Sequence, residues 1–175
     1  MINSTSQQTL NSMAARLGGI LGSQGLTLTT AESCTGGWIA QTLTAVPGSS
    51  GWFDAGFVTY SNAIKHKVLN VPLGFLQGAQ APGAVSEPTV LAMADGALRL
   101  AAADWSVATS GIAGPGGAVP GKPVGMVWIA WASARGASAQ VFNFSGNRDQ
   151  VRRQSVAAAL SGLLDRLENP ADFSR

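Results

Sequence analysis

Apolar positions recur along the chain with two different periods, which divides it into predicted helices and strands. A spacing of three and four residues predicts an N-terminal helix that ends near Gly25, with a buried stripe of Leu10, Met13, Ala14, Leu17 and Leu21. Short runs rich in β-branched and aromatic residues predict three strands, at 26–30, 52–60 and 105–110. Three helical segments separate or flank these strands, at 36–46, at 61–69 and from Ser86 to about Ala102.

The C-terminal third begins with a loop and continues with a hairpin and a helix. Residues 111–125 hold six glycines and three prolines, which is typical of a loop. Two strands, 126–133 and 138–144, are predicted to form a hairpin that turns around Arg135-Gly136. A last helix starts after Asn147, which is a good capping residue. The pattern predicts an α/β protein: a three-layer α/β/α sandwich with a mixed, mostly parallel sheet and a C-terminal hairpin and helix.

The composition predicts one globular domain with a well-covered hydrophobic core. The 175 residues are 46% hydrophobic and only 11% charged, so we expect a single domain over 1–168 and a tail over 169–175. A formal charge of +2 is too small for a nucleic-acid partner, and one cysteine cannot form an internal disulfide. The longest apolar stretch, 125–134, is too short to span a membrane, and no signal peptide is evident. We therefore expect a cytoplasmic protein, with room for a homo-oligomeric interface.

The stretch "TTAESCTGG" (29–37) places two candidate nucleophiles where a strand gives way to a helix. Ser33 and Cys34 stand together on this turn. Amides at the start of a helix are unpaired, so those of Thr35, Gly36 and Gly37 could receive an oxyanion. The alternative is that Ser33 or Thr35 simply caps the helix.

A nucleophile needs a base, and "YSNAIKHK" (60–67) offers two. A desolvated Lys65 could activate Ser33, whereas His66 could activate Cys34. Neighbouring positions on a helix point about 100° apart, so we expect only one of the two side chains to face the site. The alternative for each is an ordinary solvated side chain.

Two further segments suggest an anion site. The glycine-rich loop "SGIAGPGG" (110–117) can present amides to a substrate, although it matches neither a P-loop nor a dinucleotide fingerprint. Arg148, Arg152 and Arg153 crowd the start of the last helix, where cations oppose the helix dipole unless an anion is bound there. The alternative is surface pairing with Asp149. One Cys and one His are poor material for a zinc site.

Several linked motifs carry a resemblance to a known family. They are "TAESCTGG", "GFVTYSNAIKHKVLNV", "GAVSEP", "SGIAGPGG", "KPVG" and "FSGNRDQVRRQ". In this order, over about residues 7 to 168, the sequence resembles the CinA C-terminal family. The resemblance implies an α/β/α sandwich. It also implies hydrolysis of the carboxamide of nicotinamide mononucleotide (NMN), which gives nicotinic acid mononucleotide and ammonia in pyridine-nucleotide salvage.

The resemblance also implies roles for particular residues. Ser33 would be the nucleophile, with Tyr60 and Lys65 completing a Ser–Tyr–Lys arrangement, and Cys34 would help to pack the turn. Arg148 or Arg152 would bind the substrate phosphate. The loop with Ser110, Gly111 and Gly114 would lie near the substrate, and the role of Lys122 is left open. We expect no metal or organic cofactor. The alternative is a catalytically silent nucleotide-binding module or a competence-related interaction module.

Overall fold

The computed structural model describes residues 6–169, which form alternating helices and strands. The predicted tail over 169–175 and the first five residues of the predicted domain lie, apart from Asn169, outside the described residues. The helices are α1 (Gln7–Gln24), α2 (Trp38–Thr44), α3 (Asn62–Leu69), α4 (Leu73–Leu76), α5 (Glu87–Ala101) and α6 (Arg148–Glu168), with a 3₁₀ turn at Ser49–Gly51. The strands are β1 (Leu28–Glu32), β2 (Phe53–Val58), β3 (Trp105–Gly111), β4 (Met126–Ser133) and β5 (Gly136–Asn143).

The strands form one mixed sheet in the order β2-β1-β3-β4-β5. β1 pairs in parallel with both β2 and β3, whereas β4 pairs antiparallel with β3 and β5. Four of the five described strands therefore run in one direction. The predicted α/β class, the mostly parallel sheet and the C-terminal hairpin are confirmed.

The sheet separates two apolar cores, one under each helical layer. On one face, α1, α2 and α6 pack over strand residues that include Ile129 and Trp131. On the other face, α5 and the end of α3 pack over the small side chains of Ala31, Ala108 and Ala130. α2, α5 and α6 pack directly on the sheet, whereas α1 packs mainly on α6 and α2, and α3 on α5. Burial of these apolar faces is the main source of stability in such a layered fold.

One close approach positions the helix that carries the candidate base. Gly96 of α5 lies against the backbone carbonyl of Leu69 at the end of α3, where any added Cβ would collide with the carbonyl oxygen. A glycine is needed because a larger residue would push α3 away from α5. The contact therefore helps to hold α3 beside the sheet.

Element boundaries differ from the predicted ones where backbone conformation or pairing decides them. β1 lies two residues later than predicted, because Ala31 and Glu32 still pair with both neighbouring strands. α2 begins at Trp38 instead of residue 36, since Gly36 and Gly37 have positive φ values of 63° and 94°, which a right-handed helix does not accept. The short helix α4 was not predicted. Within residues 6–169, no helix is long and apolar enough to cross a membrane.

Candidate active site

The turn that carries Ser33 is fixed at the carboxyl ends of the parallel strands. The Ser33 amide donates to the carbonyl of Thr109 at the end of β3 (3.0 Å), and the Thr59 amide donates to the carbonyl of Glu32 at the end of β1 (2.9 Å). The carboxyl edge of a parallel sheet is where open α/β folds bind ligands. Ser33 therefore lies where this fold type normally does its chemistry.

Lys65 reaches this turn from the first turn of α3. Its Nζ lies 2.9 Å from Ser33 Oγ, 2.7 Å from the carbonyl oxygen of Thr59 and 3.2 Å from that of Tyr60. A neutral amine has two N–H groups and one lone pair. The ammonium form donates to the two carbonyls and to Ser33 Oγ. Once the amine is neutral, its two N–H groups can stay on the carbonyls while its lone pair faces the Ser33 hydroxyl. This is the geometry of a base that accepts a proton from Ser33.

Burial makes the neutral form of Lys65 accessible. The side chain is 1% exposed, and within the described residues no carboxylate forms an ion pair with it. Burial lowers the pKa of the Lys65 ammonium to about 8, because the charged form loses its hydration, and the nearby thiol of Cys34 opposes this only in part. The pKa of Lys65 therefore lies close to neutral pH, so part of the protein carries the neutral amine there.

Cys34 and His66 do not show the features of an activated thiol and its base. Burial raises the pKa of the Cys34 thiol to about 12, so the thiol stays protonated. The Nδ1 atom of His66 is hydrogen-bonded to the carbonyl of Val71 (2.9 Å) beyond the end of its own helix. The geometry supports Ser33 and Lys65 over the Cys34–His66 alternative.

A buried carboxylate that the sequence analysis overlooked holds the start of α2. Glu32 is fully buried, and its two oxygens accept hydrogen bonds from the amides of Gly37 (3.0 Å), Ile39 (3.1 Å) and Ala40 (2.9 Å). A carboxylate at a helix N-terminus is favoured by the unpaired amides and the helix dipole. Glu32 thus occupies the amides that an external anion would otherwise use. The sequence does carry one signal for this role of Glu32, which is an acidic residue shortly before a predicted helix.

The predicted oxyanion amides are not equivalent. The Gly36 amide donates to the carbonyl of Ser33 (3.1 Å), and the Gly37 amide is taken by Glu32. The Thr35 amide has no protein acceptor within residues 6–169, while its hydroxyl is hydrogen-bonded to that of Thr109 (2.8 Å). Of the three predicted donors, Thr35 is the one whose amide remains available to a ligand.

Tyr60 and Arg148 meet at the exposed side of the site. Tyr60 is 62% exposed, and its phenol oxygen accepts a hydrogen bond from Arg148 Nη2 (3.0 Å). Arg148 Nη1 donates to the carbonyl of Gly114 (2.8 Å), which ties α6 to the glycine-rich loop. The structure thus brings Tyr60 to Arg148 through its side chain and to Lys65 through its backbone.

Arg152 contacts the turn itself, one helical turn further along α6. Its Nε donates to the carbonyl of Cys34 (3.1 Å) and its Nη2 to the carbonyl of Thr35 (2.8 Å). The guanidinium also lies over the ring of Trp38, with Cζ 5.3 Å from the ring centroid. Arg153 shares that ring (5.0 Å) but pairs with Asp149.

The glycine-rich loop is packed tightly where it leaves β3. Ser110 is buried, and its hydroxyl donates to the carbonyl of Ala84 (2.7 Å). At Gly111 a Cβ would lie 2.6 Å from a methyl group of Val127, so a larger residue would force β3 and β4 apart. Lys122 donates to the carbonyl of Pro82, which fastens the outer part of the loop to the segment before α5.

No cluster that could hold a metal occurs in the described part of the chain, where no three His, Cys, Asp or Glu residues come together. The expectation that the protein uses no metal or organic cofactor stays a prediction.

Comparison with known proteins identifies the family. The model of the CinA C-terminal domain matches residues 10–167, so the chain belongs to the CinA C-terminal family. The expected resemblance is confirmed. Relatives include a nicotinamide-nucleotide amidohydrolase, PncC, of Escherichia coli (strain K12), which is 52% identical over 155 residues that cover 88% of this chain and 92% of the relative. PncC of Pseudomonas putida is 51% identical and covers 89% of this chain and 95% of its own length.

Solved structures show the same fold. A competence-damaged protein (CinA) superfamily protein from Klebsiella pneumoniae superimposes with a TM-score of 0.86 at 39% identity, over 91% of this chain and 98% of its own. A competence/damage inducible protein from Agrobacterium tumefaciens gives the same TM-score and identity over 96% and 99% of the two chains.

Proposed function

We propose that this chain hydrolyses the carboxamide of NMN to nicotinic acid mononucleotide and ammonia. Ser33 serves as the nucleophile and Lys65 as its base. The observation that carries the proposal is the 2.9 Å contact between Lys65 Nζ and Ser33 Oγ. It occurs in a chain about half identical, over most of its length, to proteins named nicotinamide-nucleotide amidohydrolases.

The first half of the reaction forms an ester and releases ammonia. The neutral amine of Lys65 takes the proton of Ser33 as Oγ bonds to the carboxamide carbon. The carbonyl π electrons move to oxygen, and the resulting oxyanion is bound by the Thr35 amide. When the intermediate collapses, the C–N bond breaks and the Lys65 ammonium gives its proton to the leaving nitrogen, which departs as ammonia.

The second half of the reaction restores the enzyme. Lys65, neutral again, takes a proton from water as the water oxygen bonds to the ester carbon. The C–O bond to Ser33 then breaks, Ser33 recovers its proton from Lys65, and the product leaves as a carboxylic acid that ionises. Because Lys65 already contacts Ser33, the proton needs no relay through the Tyr60 phenol. In this scheme Tyr60 contributes its backbone oxygen to Lys65 and its side chain to the substrate entrance.

We assign the substrate phosphate to Arg148. It lies at the first position of α6, and its two hydrogen-bond acceptors, Gly114 and Tyr60, are both neutral. Its positive charge and the dipole of α6 both favour a bound dianion. Arg152 is the other predicted phosphate ligand, but its Nε and Nη2 atoms already donate to the carbonyls of Cys34 and Thr35 in the turn. The loop 110–117 lies beside Arg148 and would border the nucleotide.

The second candidate function is a catalytically silent nucleotide-binding module, or an interaction module in competence. It is favoured by the names of the solved relatives, which refer to competence or damage. In either case Ser33 and Lys65 would be dispensable. The predicted cytoplasmic location and homo-oligomeric interface stay predictions, as does the lack of nucleic-acid and membrane partners.

Release of ammonia from NMN by the purified protein tests the proposal. The expected result is one ammonia for each nicotinic acid mononucleotide formed, without added metal, and loss of both in Ser33→Ala and in Lys65→Met. Binding of NMN without any ammonia would refute the proposed reaction and support the silent module. Activity that a chelator abolishes and a metal restores would contradict the metal-free scheme.

A further inference from the structure

Arg152, which the sequence places at a predicted anion site, binds the backbone of the turn that follows Ser33. Two of its nitrogens donate to consecutive backbone carbonyls, those of Cys34 and Thr35, which directly follow the nucleophile position. The side chain comes from α6, more than a hundred residues away in sequence, and it is half-buried between the turn and Trp38. Such a fork holds two successive peptide units in one orientation.

The first of these peptide units carries the Thr35 amide, which has no protein acceptor within residues 6–169. In a trans peptide the C=O and N–H bonds lie in one plane and point in opposite directions. By holding the oxygen of Cys34, Arg152 directs the N–H of Thr35 away from the guanidinium. The second unit is held in the same way through the oxygen of Thr35, and its N–H, from Gly36, donates back to Ser33.

The charge of Arg152 adds to this effect. Within residues 6–169 no carboxylate lies at ion-pair distance from its guanidinium, so no ion pair competes with its bonds to the two carbonyls. A hydrogen bond from a cation to a carbonyl pulls electron density from the peptide group and makes its N–H a stronger donor. A glycine at position 36 lets Arg152 approach the turn, because a Cβ there would lie 3.2 Å from Nη2 of Arg152. The φ of 63° at this position also suits glycine.

We propose that Arg152 is a positioning residue for the oxyanion site: it holds and polarises the Cys34–Thr35 peptide, so that the Thr35 amide stabilises the tetrahedral intermediate formed at Ser33. The inference rests on the proposed function and assigns to Arg152 a role other than phosphate binding. It requires that Arg152 act on the transition state and not on the binding of the nucleotide.

The test compares Arg152→Met and Arg152→Lys with a matched control, Arg153→Met. Arg153 also lies over Trp38 on α6, but its side chain bonds Asp149 and none of the carbonyls of the turn. Removal of one oxyanion donor commonly costs 10²- to 10³-fold in kcat, so we expect Arg152→Met, which weakens such a donor indirectly, to lose about 10- to 100-fold. KM for NMN should stay within about twofold, and Arg152→Lys should recover part of kcat because it keeps the charge.

A phosphate-free probe separates positioning from phosphate binding. 3-Pyridineboronic acid can form a tetrahedral boronate on Ser33 that places an oxygen in the oxyanion site. We expect its inhibition constant to rise in Arg152→Met by about the same factor as kcat falls. The affinity for nicotinic acid mononucleotide, which carries the phosphate, should not change. Thermal unfolding of each variant shows whether the fold is intact, and Arg152→Lys serves if Arg152→Met does not fold.

The outcomes distinguish this inference from the proposed function. Unchanged boronate affinity with weakened binding of nicotinic acid mononucleotide would make Arg152 a phosphate ligand and overturn the inference. An equal loss of kcat in Arg153→Met would also overturn it, since packing on Trp38 would then explain the effect. If boronate binds wild-type protein no better than Ser33→Ala, the proposed function itself fails, because Ser33 is then not a nucleophile.

Discussion

The pH dependence of turnover should follow the ionisation of Lys65. With a pKa of about 8 for this buried amine, about 9% of the enzyme carries the neutral base at pH 7, about half at pH 8 and about 90% at pH 9. At the ordinary lysine value of 10.5 the neutral fraction at pH 7 would be about 300-fold smaller. Burial of Lys65 therefore raises the amount of active base by more than two orders of magnitude.

The sign of the dependence follows from the role of the amine as a base. Because the neutral form takes the proton from Ser33, kcat/KM should rise almost tenfold per pH unit well below pH 8 and level off above it. The thiol of Cys34, with a pKa of about 12, does not titrate in this range. The second ionisation of the NMN phosphate lies near pH 6, so the window from pH 7 to pH 9.5 isolates the enzyme group.

The assay is the initial rate of ammonia release at low NMN concentration over that window. His66→Gln is the matched control, because His66 neighbours Lys65 on α3 and is the base of the alternative Cys34–His66 pair. We expect the control to keep the same midpoint near pH 8. A flat profile from pH 7 to pH 9, or a midpoint that moves in His66→Gln, would contradict the assignment of Lys65 as the base.

Three further predictions follow from the same contacts. Lys65→Met should lose activity. From pH 7 to pH 9.5 the unfolding free energy of wild type should also rise by about 2 kcal/mol relative to that of Lys65→Met. In this pH range the unfolded wild-type chain binds more protons than the folded one, so the stability of wild type rises with pH. Urea unfolding of wild type and Lys65→Met measures the shift, with the exposed Lys67→Met as control. If the stabilities of Lys65→Met and Lys67→Met change with pH in the same way, the lowered pKa of Lys65 is contradicted. Arg148→Ala should raise KM for NMN about 10- to 100-fold, as loss of a charged hydrogen bond predicts, with kcat within about threefold; an equal loss on nicotinamide riboside, which lacks the phosphate, would exclude phosphate binding. Cys34→Ala should keep kcat within about tenfold, or 1.4 kcal/mol of barrier; a larger loss in steady-state kinetics of a folded variant would give the thiol a role in the chemistry.

The layer order of the fold could be predicted because local pattern and global topology agree. Alternating strand and helix periods over residues 26–110 predict parallel strands joined by helices, and the hairpin around Arg135-Gly136 predicts the antiparallel edge. The boundaries of β1 and α2 were harder, since they depend on pairing by Glu32 with two strands and on the positive φ values of Gly36 and Gly37. Strand pairing joins residues that are far apart in the sequence, so the end of β1 could not be predicted from the local pattern.

The candidate site was predictable in its residues but not in its geometry. Ser33 and Lys65 are predicted from a polar turn after a strand, a lysine just inside the next helix and the family motifs. The two carbonyls that orient the amine, the carboxylate of Glu32 under α2 and the fork of Arg152 on the turn all depend on tertiary contacts. The arginines at the start of the last helix predict an anion site, whereas Arg152 donates to two backbone carbonyls of the turn.

The central claim is that Ser33 forms a covalent acyl intermediate with the carboxamide carbon of NMN. The most direct measurement is rapid acid quenching of enzyme mixed with excess NMN at pH 7, followed by peptide mass spectrometry of the segment around residues 29–37. We expect a nicotinic acid mononucleotide acyl group on Ser33, present in Cys34→Ala and absent in Ser33→Ala. An acyl group on Cys34, or full turnover by Ser33→Ala, would contradict it.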